Sequence, residues 1–139
     1  MIKRAVISHS TRITVPFHDV DMMRIAWHGH YVKYFEVARC ELLDKIDYNY
    51  VQMSQSGYMW PVIDMHLRYV KPATFGQEIL VEVGVTEFEN RLKMNYLITD
   101  TETGERLTKG STIQVAVRMA DNEMQFATPP VLREKLGVE

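Results

Sequence analysis

Residues 17–39, FHDVDMMRIAWHGHYVKYFEVAR, bring together the side chains of this chain that could do chemistry. Asp19 and Asp21 stand one residue apart, and His28 and His30 follow just before a helical pattern begins. A carboxylate beside a helix start can attack a carbonyl or activate water while free helix N–H groups stabilise the developing oxyanion. The alternative is a polar loop in which Asp only turns or caps the chain.

A metal site is the second chemistry to weigh, because His18, Asp21, His28 and His30 are all potential zinc ligands. The spacing argues against it: a regular helix would point His28 and His30 about 200° apart. No HExxH pattern or cysteine pair supports a metal. The single cysteine, Cys40, falls in the middle of the helical pattern, where nothing activates a thiol. We therefore expect neither a metal site nor a cysteine nucleophile.

Two repeating patterns of apolar residues predict the helix and the strands that must position this stretch. Apolar residues at three- and four-residue steps from Tyr31 to Ile46 predict one amphipathic helix of about four turns. Period-2 alternation predicts four long strands, each with one buried face, and a less regular strand near residues 9–17. The four strands are expected over residues 61–69, 78–88, 92–98 and 112–119.

The order of these elements indicates an α+β fold in which one long helix lies on an antiparallel sheet. Antiparallel pairing is favoured because the connections are short, with turns expected at residues 89–91 and 102–105. One helix cannot cover both faces of a five-stranded sheet. A homodimer or larger assembly is therefore expected.

Length and composition predict one domain over residues 1–139, with 46% hydrophobic residues to form a core. The formal net charge of −2 gives no basic footprint for nucleic acid. No stretch approaches the ~20 apolar residues of a membrane span, and the N-terminus has no signal-peptide run. With one cysteine, a disulfide framework is excluded, and a cytoplasmic location is expected.

The stretch 17–39 resembles the signature of the 4-hydroxybenzoyl-CoA thioesterase group of hotdog-fold proteins, and also the acyl-CoA thioesterases of the Tol–Pal gene-cluster type. The shared pattern is a strand ending in an aromatic residue, D-x-D, a short apolar loop, a helix tyrosine and aromatic-E-x-A-R. Here these parts are Phe17, residues 19–21, residues 25–27, Tyr31 and residues 35–39. Downstream, YVKPATFGQEILVEV looks like the strand–turn–strand of the same group.

The resemblance implies a hotdog fold, in which a five-stranded antiparallel sheet wraps around one long helix. Dimers of this group pair their sheets edge to edge and place active sites at the subunit interface. Asp21 matches the catalytic carboxylate, which acts as nucleophile or as general base. The backbone N–H that polarises the thioester carbonyl would fall at His28, whose side chain matches a histidine that assists water or orients the substrate.

Substrate-binding roles are also expected for residues around this pair. Tyr31 would order the site, and the charges of Lys71 and Arg91 would bind CoA phosphates unless they are only solvated surface charges. The remaining positions would line the acyl pocket, the last three from the neighbouring subunit, unless the apolar ones are core residues: Met22, Trp27, Met59, Trp60 and Pro61.

One departure concerns Arg24, which stands where the group typically has glycine, three residues after the catalytic Asp. Arg24 would narrow the pocket, point outward or contact carrier phosphates. The resemblance implies an acyl thioesterase that hydrolyses an acyl-CoA or acyl-carrier-protein thioester to a free acid and a thiol, with no cofactor. The alternatives are a non-catalytic acyl-thioester binder and a hotdog enoyl-thioester hydratase or dehydratase.

Overall fold

A computed structural model of the chain describes residues 2–26 and 28–138, and at His28 the backbone alone. A short 3-10 helix, Phe17–Asp19, follows the first strand. The helices are α1 (His28–Lys45), α2 (Tyr50–Gln55) and α3 (Pro130–Leu136). The strands are β1 (Ile7–Thr14), β2 (Tyr58–Met59), β3 (Val62–Tyr69), β4 (Glu78–Glu87), β5 (Leu92–Asp100), β6 (Arg106–Gln114), β7 (Val117–Arg118) and β8 (Glu123–Met124).

The large sheet has five antiparallel strands in the order β1-β4-β5-β6-β3, and α1 contacts it at β1 and β4. This architecture confirms the predicted α+β hotdog fold with one long helix on a five-stranded antiparallel sheet. A second, three-stranded sheet joins β2, β7 and β8. The edge strands of the large sheet are β1 and β3.

The core lies between α1 and the inward face of the sheet. The apolar stripe of α1 is buried, and the Phe35 ring stacks on Tyr96 of β5 with centroids 4.3 Å apart. Gly110 of β6 permits this packing, because a Cβ there would meet the Phe35 ring and lie 2.7 Å from the His66 carbonyl oxygen. The alternation predicted for β4 and β5 is confirmed by the inward residues Ile79, Val81, Val83, Val85, Leu92, Met94, Tyr96 and Ile98.

The fourth long strand was predicted at the wrong position. It covers Arg106–Gln114, whereas the alternation placed it over residues 112–119. The chain leaves the large sheet after Gln114, whose side-chain amide donates to the Trp60 carbonyl, and residues 117–118 then join the small sheet as β7. Apolar alternation continues across this exit, so the period alone does not mark the end of the strand.

The predicted buried face of β3 is also corrected. Met65 and Leu67 are only half-buried, while Ile63 is 59% exposed and Tyr69 41% exposed. The reason is that β3 is an edge strand, and its register shifts between Val62 and Asp64. Among the described residues, no helix is both long and apolar enough to cross a membrane.

Candidate functional site

The loop between β1 and α1 is held in place by backbone hydrogen bonds to the segment that precedes β4. Within the loop, Asp21 N–H donates to the Ile25 carbonyl at 3.1 Å, and Arg24 N–H donates to the Asp21 carbonyl at 2.9 Å. Toward β4, Phe75 N–H donates to the Arg24 carbonyl at 3.0 Å, and Ala26 N–H donates to the Ala73 carbonyl at 2.8 Å. The loop is therefore a fixed platform rather than a free connection.

Asp19 is the buried carboxylate of the D-x-D pair, with a side chain only 1% exposed. Lys33 Nζ lies 2.6 Å from Oδ1, Tyr34 Oη donates to Oδ2 at 2.8 Å, and His30 Nδ1 is 3.5 Å from Oδ1. Burial on its own would raise the pKa of the Asp19 carboxyl, but the hydrogen bonds from Lys33 and Tyr34 and the Lys33 charge outweigh it and lower that pKa. Both oxygens of Asp19 are thus occupied in joining the loop to the first turns of α1.

Asp21 differs from Asp19 because its side chain is exposed. Its Oδ1 accepts one hydrogen bond, from Met23 N–H at 2.8 Å, and Oδ2 has no hydrogen bond to any part of the chain that the structure describes. This Asx turn fixes the direction of the carboxylate while leaving one oxygen available to a ligand. Asp21 opens into a cavity of about 360 Å³ that is lined by Phe17, Val20, Asp21, Met22, Arg24 and Phe75.

Several apolar side chains in the wall of this cavity are exposed. Met22 is fully exposed, and Phe17 and Phe75 are 75% and 51% exposed. The two phenylalanine rings pack edge to face with centroids 5.7 Å apart. An exposed apolar rim around a carboxylate is typical of a ligand-binding surface.

Arg24 has a left-handed backbone, with φ of 62°. Glycine adopts this conformation without strain, whereas an L side chain pays about 1–2 kcal/mol for it. Arg24 therefore stands at a backbone position that glycine would occupy without strain. Among the described residues, the Arg24 side chain forms no ion pair, although it lines the Asp21 cavity.

Helix α1 begins at His28, seven residues after Asp21, and its first N–H groups lack helical partners. Trp27 and the His28 side chain lie outside the described residues, so their expected roles stay predictions. Tyr31, on the first turn, is buried, and its hydroxyl accepts the Ala73 N–H at 2.8 Å. Burial raises the pKa of this phenol, and the hydrogen bond joins the start of α1 to the Asp21 platform.

A second cleft, of about 140 Å³, lies beside Tyr31 at the end of β3. The rings of Tyr31 and Tyr69 are tilted against each other with centroids 5.1 Å apart. Lys71 reaches this cleft and forms an ion pair with Glu105 at 2.8 Å. The cleft is lined by Ile25, Tyr31, Tyr69, Val70, Lys71 and Pro72.

The other predicted binding residues lie apart from these two cavities. Trp60 is 4% exposed, with Nε1 donating to the Tyr48 hydroxyl at 3.2 Å, so within one chain it packs in the core. Met59, the last residue of β2, and Pro61, just before β3, are exposed. Arg91 forms an ion pair with Glu87 at 2.8 Å. Their substrate-binding roles stay predictions.

The structure therefore brings Asp21, Met22 and Arg24 to one cavity, and Tyr31 and Lys71 to the neighbouring cleft. Sequence reasoning missed Phe17 and Phe75 as cavity residues and Tyr69 as a cleft residue. The signals for the two phenylalanines were the place of Phe17 as the aromatic residue of the family pattern and the place of Phe75 in the stretch YVKPATFGQEILVEV. No group of three His, Cys, Asp or Glu side chains suited to a metal occurs within residues 2–26 and 28–138, apart from the His28 side chain.

Comparison with known proteins places this chain in a family. A family model described as the Thioesterase-like superfamily matches residues 15–136. A Synechocystis sp. protein provisionally named an esterase is 31% identical over 125 residues, which cover 89% of this chain and 75% of that protein. A Bacillus subtilis protein provisionally named an acyl-CoA thioesterase is 29% identical over 76 residues, 55% of each chain.

Solved structures agree with this match at the level of the fold. The DHNA-CoA thioesterase of Staphylococcus aureus superposes with a TM-score of 0.80 at 26% identity, covering 94% of this chain and 89% of that one. A 1,4-dihydroxy-2-naphthoyl-CoA thioesterase of Synechocystis superposes with a TM-score of 0.81 at 15% identity, covering 94% and 96%.

Proposed function

We propose that this chain, which belongs to the Thioesterase-like superfamily, is an acyl thioesterase that hydrolyses an acyl-CoA or acyl-carrier-protein thioester to a free acid and a thiol. The observation that carries the proposal is the difference between the two aspartates. Asp19 has both oxygens occupied, whereas Asp21 keeps one oxygen available at a cavity large enough for an acyl group.

In the proposed reaction, the thioester carbonyl lies between the Asp21 carboxylate and the start of α1. Asp21 attacks the carbonyl carbon, or removes a proton from the water that attacks it. The N–H at His28 polarises the carbonyl oxygen, because the first turn of a helix carries unpaired donors and partial positive charge. The carbon–sulfur bond then breaks, and the thiolate leaves and takes up a proton. When water is the attacking group, the free acid forms in this step; when Asp21 is the nucleophile, water then hydrolyses the mixed anhydride on Asp21, which releases the acid and restores the carboxylate.

The surrounding side chains have supporting roles in this proposal. Met22 and the Phe17–Phe75 pair contact the acyl group, and Tyr31 keeps the helix start in register with the Asp21 platform through Ala73. In this proposal, Arg24 and Lys71, which line the cavity and the cleft, bind negative charge on the carrier end of the substrate. Trp27 stays in the proposal as an acyl-pocket residue, and Arg91 as a residue that binds CoA phosphates. Met59, Trp60 and Pro61 stay in it as residues that close the pocket from the neighbouring subunit.

The leading alternative is a protein of the same fold that binds an acyl thioester without hydrolysing it. It is favoured by Arg24, which lines the cavity at the position where the resembling group has glycine. A hydratase or dehydratase of enoyl thioesters ranks lower. Such enzymes pair their carboxylate and histidine differently, whereas Asp21 and His28 lie in one short stretch and the sequence suggests no second catalytic segment.

The test is thiol release from short-chain, long-chain and aromatic acyl-CoA esters, with the free acid identified in parallel. Equimolar thiol and acid on any ester would support hydrolysis. An ester that binds and survives incubation would support the non-catalytic binder. An enoyl ester that is consumed without thiol release would support the hydratase.

A further inference from the structure

The outer face of the large sheet, which turns away from α1, carries cations that the proposed reaction does not use. Arg68 of β3 and Lys109 of β6 are exposed and stand directly opposite each other in the antiparallel register. Like charges in this arrangement destabilise a strand pair. Among the described residues, neither side chain has a carboxylate within ion-pair distance. The part of the chain that the structure describes therefore supplies no counter-ion for this pair.

Lys109 also lines a cavity of about 300 Å³ on the same face. The N-terminal segment forms one wall, because it lies directly on the bare backbone of Gly84: a Cβ there would be 2.9 Å from Ile2 Cγ2 and 2.7 Å from Ala5 Cβ. Two further cations, Lys3 and Arg106, line the cavity. The segment thus adds a wall and a charge to an otherwise open sheet.

The rest of the cavity can receive an organic group. Leu97 lines it as an apolar surface that is only 8% exposed. Asn95 accepts a hydrogen bond from Thr86 Oγ1 at 3.1 Å through its amide oxygen, and this leaves its NH₂ group to donate. By register, the carboxylate residue Glu82 is two strands away from Lys109, about 9–10 Å between backbones.

From this juxtaposition we propose that the outer face binds a small molecule carrying two or more phosphate groups. Lys3, Arg68, Arg106 and Lys109 bind the phosphates, and Leu97 and Asn95 contact the organic part. Arg and Lys are the side chains that recognise phosphate, by fork geometry and as point charges. The formal net charge of the chain is −2, so this group of cations is a local feature and not part of a generally basic surface.

The test is calorimetric titration of the full chain with inorganic pyrophosphate and with adenosine 3′,5′-bisphosphate. The double variant Arg68→Met/Lys109→Met should weaken binding at least ~10-fold, since hydrogen bonds to charged groups are lost. Lys135→Met, which removes an exposed cation from α3, should leave Kd unchanged. No binding by the wild type at millimolar probe, or equal weakening in the control, would overturn the proposal.

Two further measurements test the proposal. The first is the thermal stability of a variant without ligand, and the second compares the affinities of the two probes to define the ligand. Without ligand, Arg68→Met should melt at a higher temperature than the wild type, because the like-charge pair is gone; a lower Tm would contradict the counter-ion argument. Equal affinity for both probes would identify phosphate groups alone as the ligand. Tighter binding of the bisphosphate that Asn95→Ala abolishes would identify a nucleotide. Neither result depends on thioester hydrolysis.

Discussion

At the scale of single residues, the D-x-D pair separates into a structural and an available carboxylate. The sequence presents Asp19 and Asp21 as equivalent, and only the resemblance to a family favoured Asp21. The structure gives a physical reason for a division of roles, because Lys33 and Tyr34 occupy Asp19 and leave Asp21 exposed. No local pattern could predict this, since the helix partners of Asp19 are 14 and 15 residues away.

Asp19 should make the stability of the fold sensitive to acid. Its native pKa is lowered, so its contribution is fully present above the unfolded-state pKa, near 4, and is lost as pH falls through the native value. Asp19→Asn should lower the free energy of unfolding by about 2 kcal/mol at pH 7, and the deficit should shrink below pH 4. Urea denaturation at both pH values measures this.

The control for Asp19 is Asp47→Asn, because Asp47 is exposed and its left-handed backbone, with φ of 57°, suits Asn. The free energy of unfolding of this variant should show no pH-dependent deficit relative to the wild type. A deficit of the Asp19 variant that stays constant down to pH 2 would contradict the assigned ion pairs.

Arg24 gives a second prediction at this scale. Arg24→Gly and Arg24→Ala remove the same guanidinium, but only glycine relieves the positive φ. We expect the free energy of unfolding of the glycine variant to exceed that of the alanine variant by about 1 kcal/mol. Chemical denaturation measures the difference, and an alanine variant that is equally stable would argue against a strained Arg24.

At the scale of elements, hydrophobic periods predicted the long helix and the β4 and β5 strands because these elements bury one regular face. The same reasoning misplaced β6 and its exit from the sheet. Thr108, Gly110, Thr112 and Gln114 face inward on β6, so its core face does not read as apolar. The glycine at position 110 is explained only by the Phe35 ring that packs on it.

The close approach of α1 to β6 can be tested at that glycine. Gly110→Ala should lower the free energy of unfolding by about 3 kcal/mol, because the added methyl group displaces Phe35 from its stack on Tyr96. Ser111→Ala, one residue further on the opposite face, should change it by no more than about 0.5 kcal/mol. Similar effects of the two substitutions in thermal or urea unfolding would contradict the packing described for α1.

At the scale of the whole molecule, the edge strand β3 is the strongest indication of assembly. It leaves unpaired backbone groups and exposes Val62, Ile63 and Tyr69. The sequence led us to expect a homodimer or larger assembly, and edge-to-edge pairing here would also cover the Tyr69 cleft. Assembly through this edge stays a prediction.

We predict that the chain is at least dimeric at micromolar concentration in sedimentation equilibrium. Ile63→Lys should shift it toward monomer, because an edge lysine opposes strand pairing. Val51→Lys, at a position of α2 that is 66% exposed, should not. A monomeric wild type, or equal dissociation by both variants, would argue against pairing through β3.

The central claim, that Asp21 carries the reaction, is tested most directly by one measurement: kcat for thiol release by Asp21→Asn beside wild type and Asp47→Asn, on the best acyl-CoA ester. Loss of the carboxylate should lower kcat by about 10²–10⁴-fold, because Asn neither attacks the carbonyl nor accepts a proton from water. The free energy of unfolding should stay unchanged. Asp47→Asn should match the wild type. An Asp21→Asn enzyme with wild-type turnover would contradict the account.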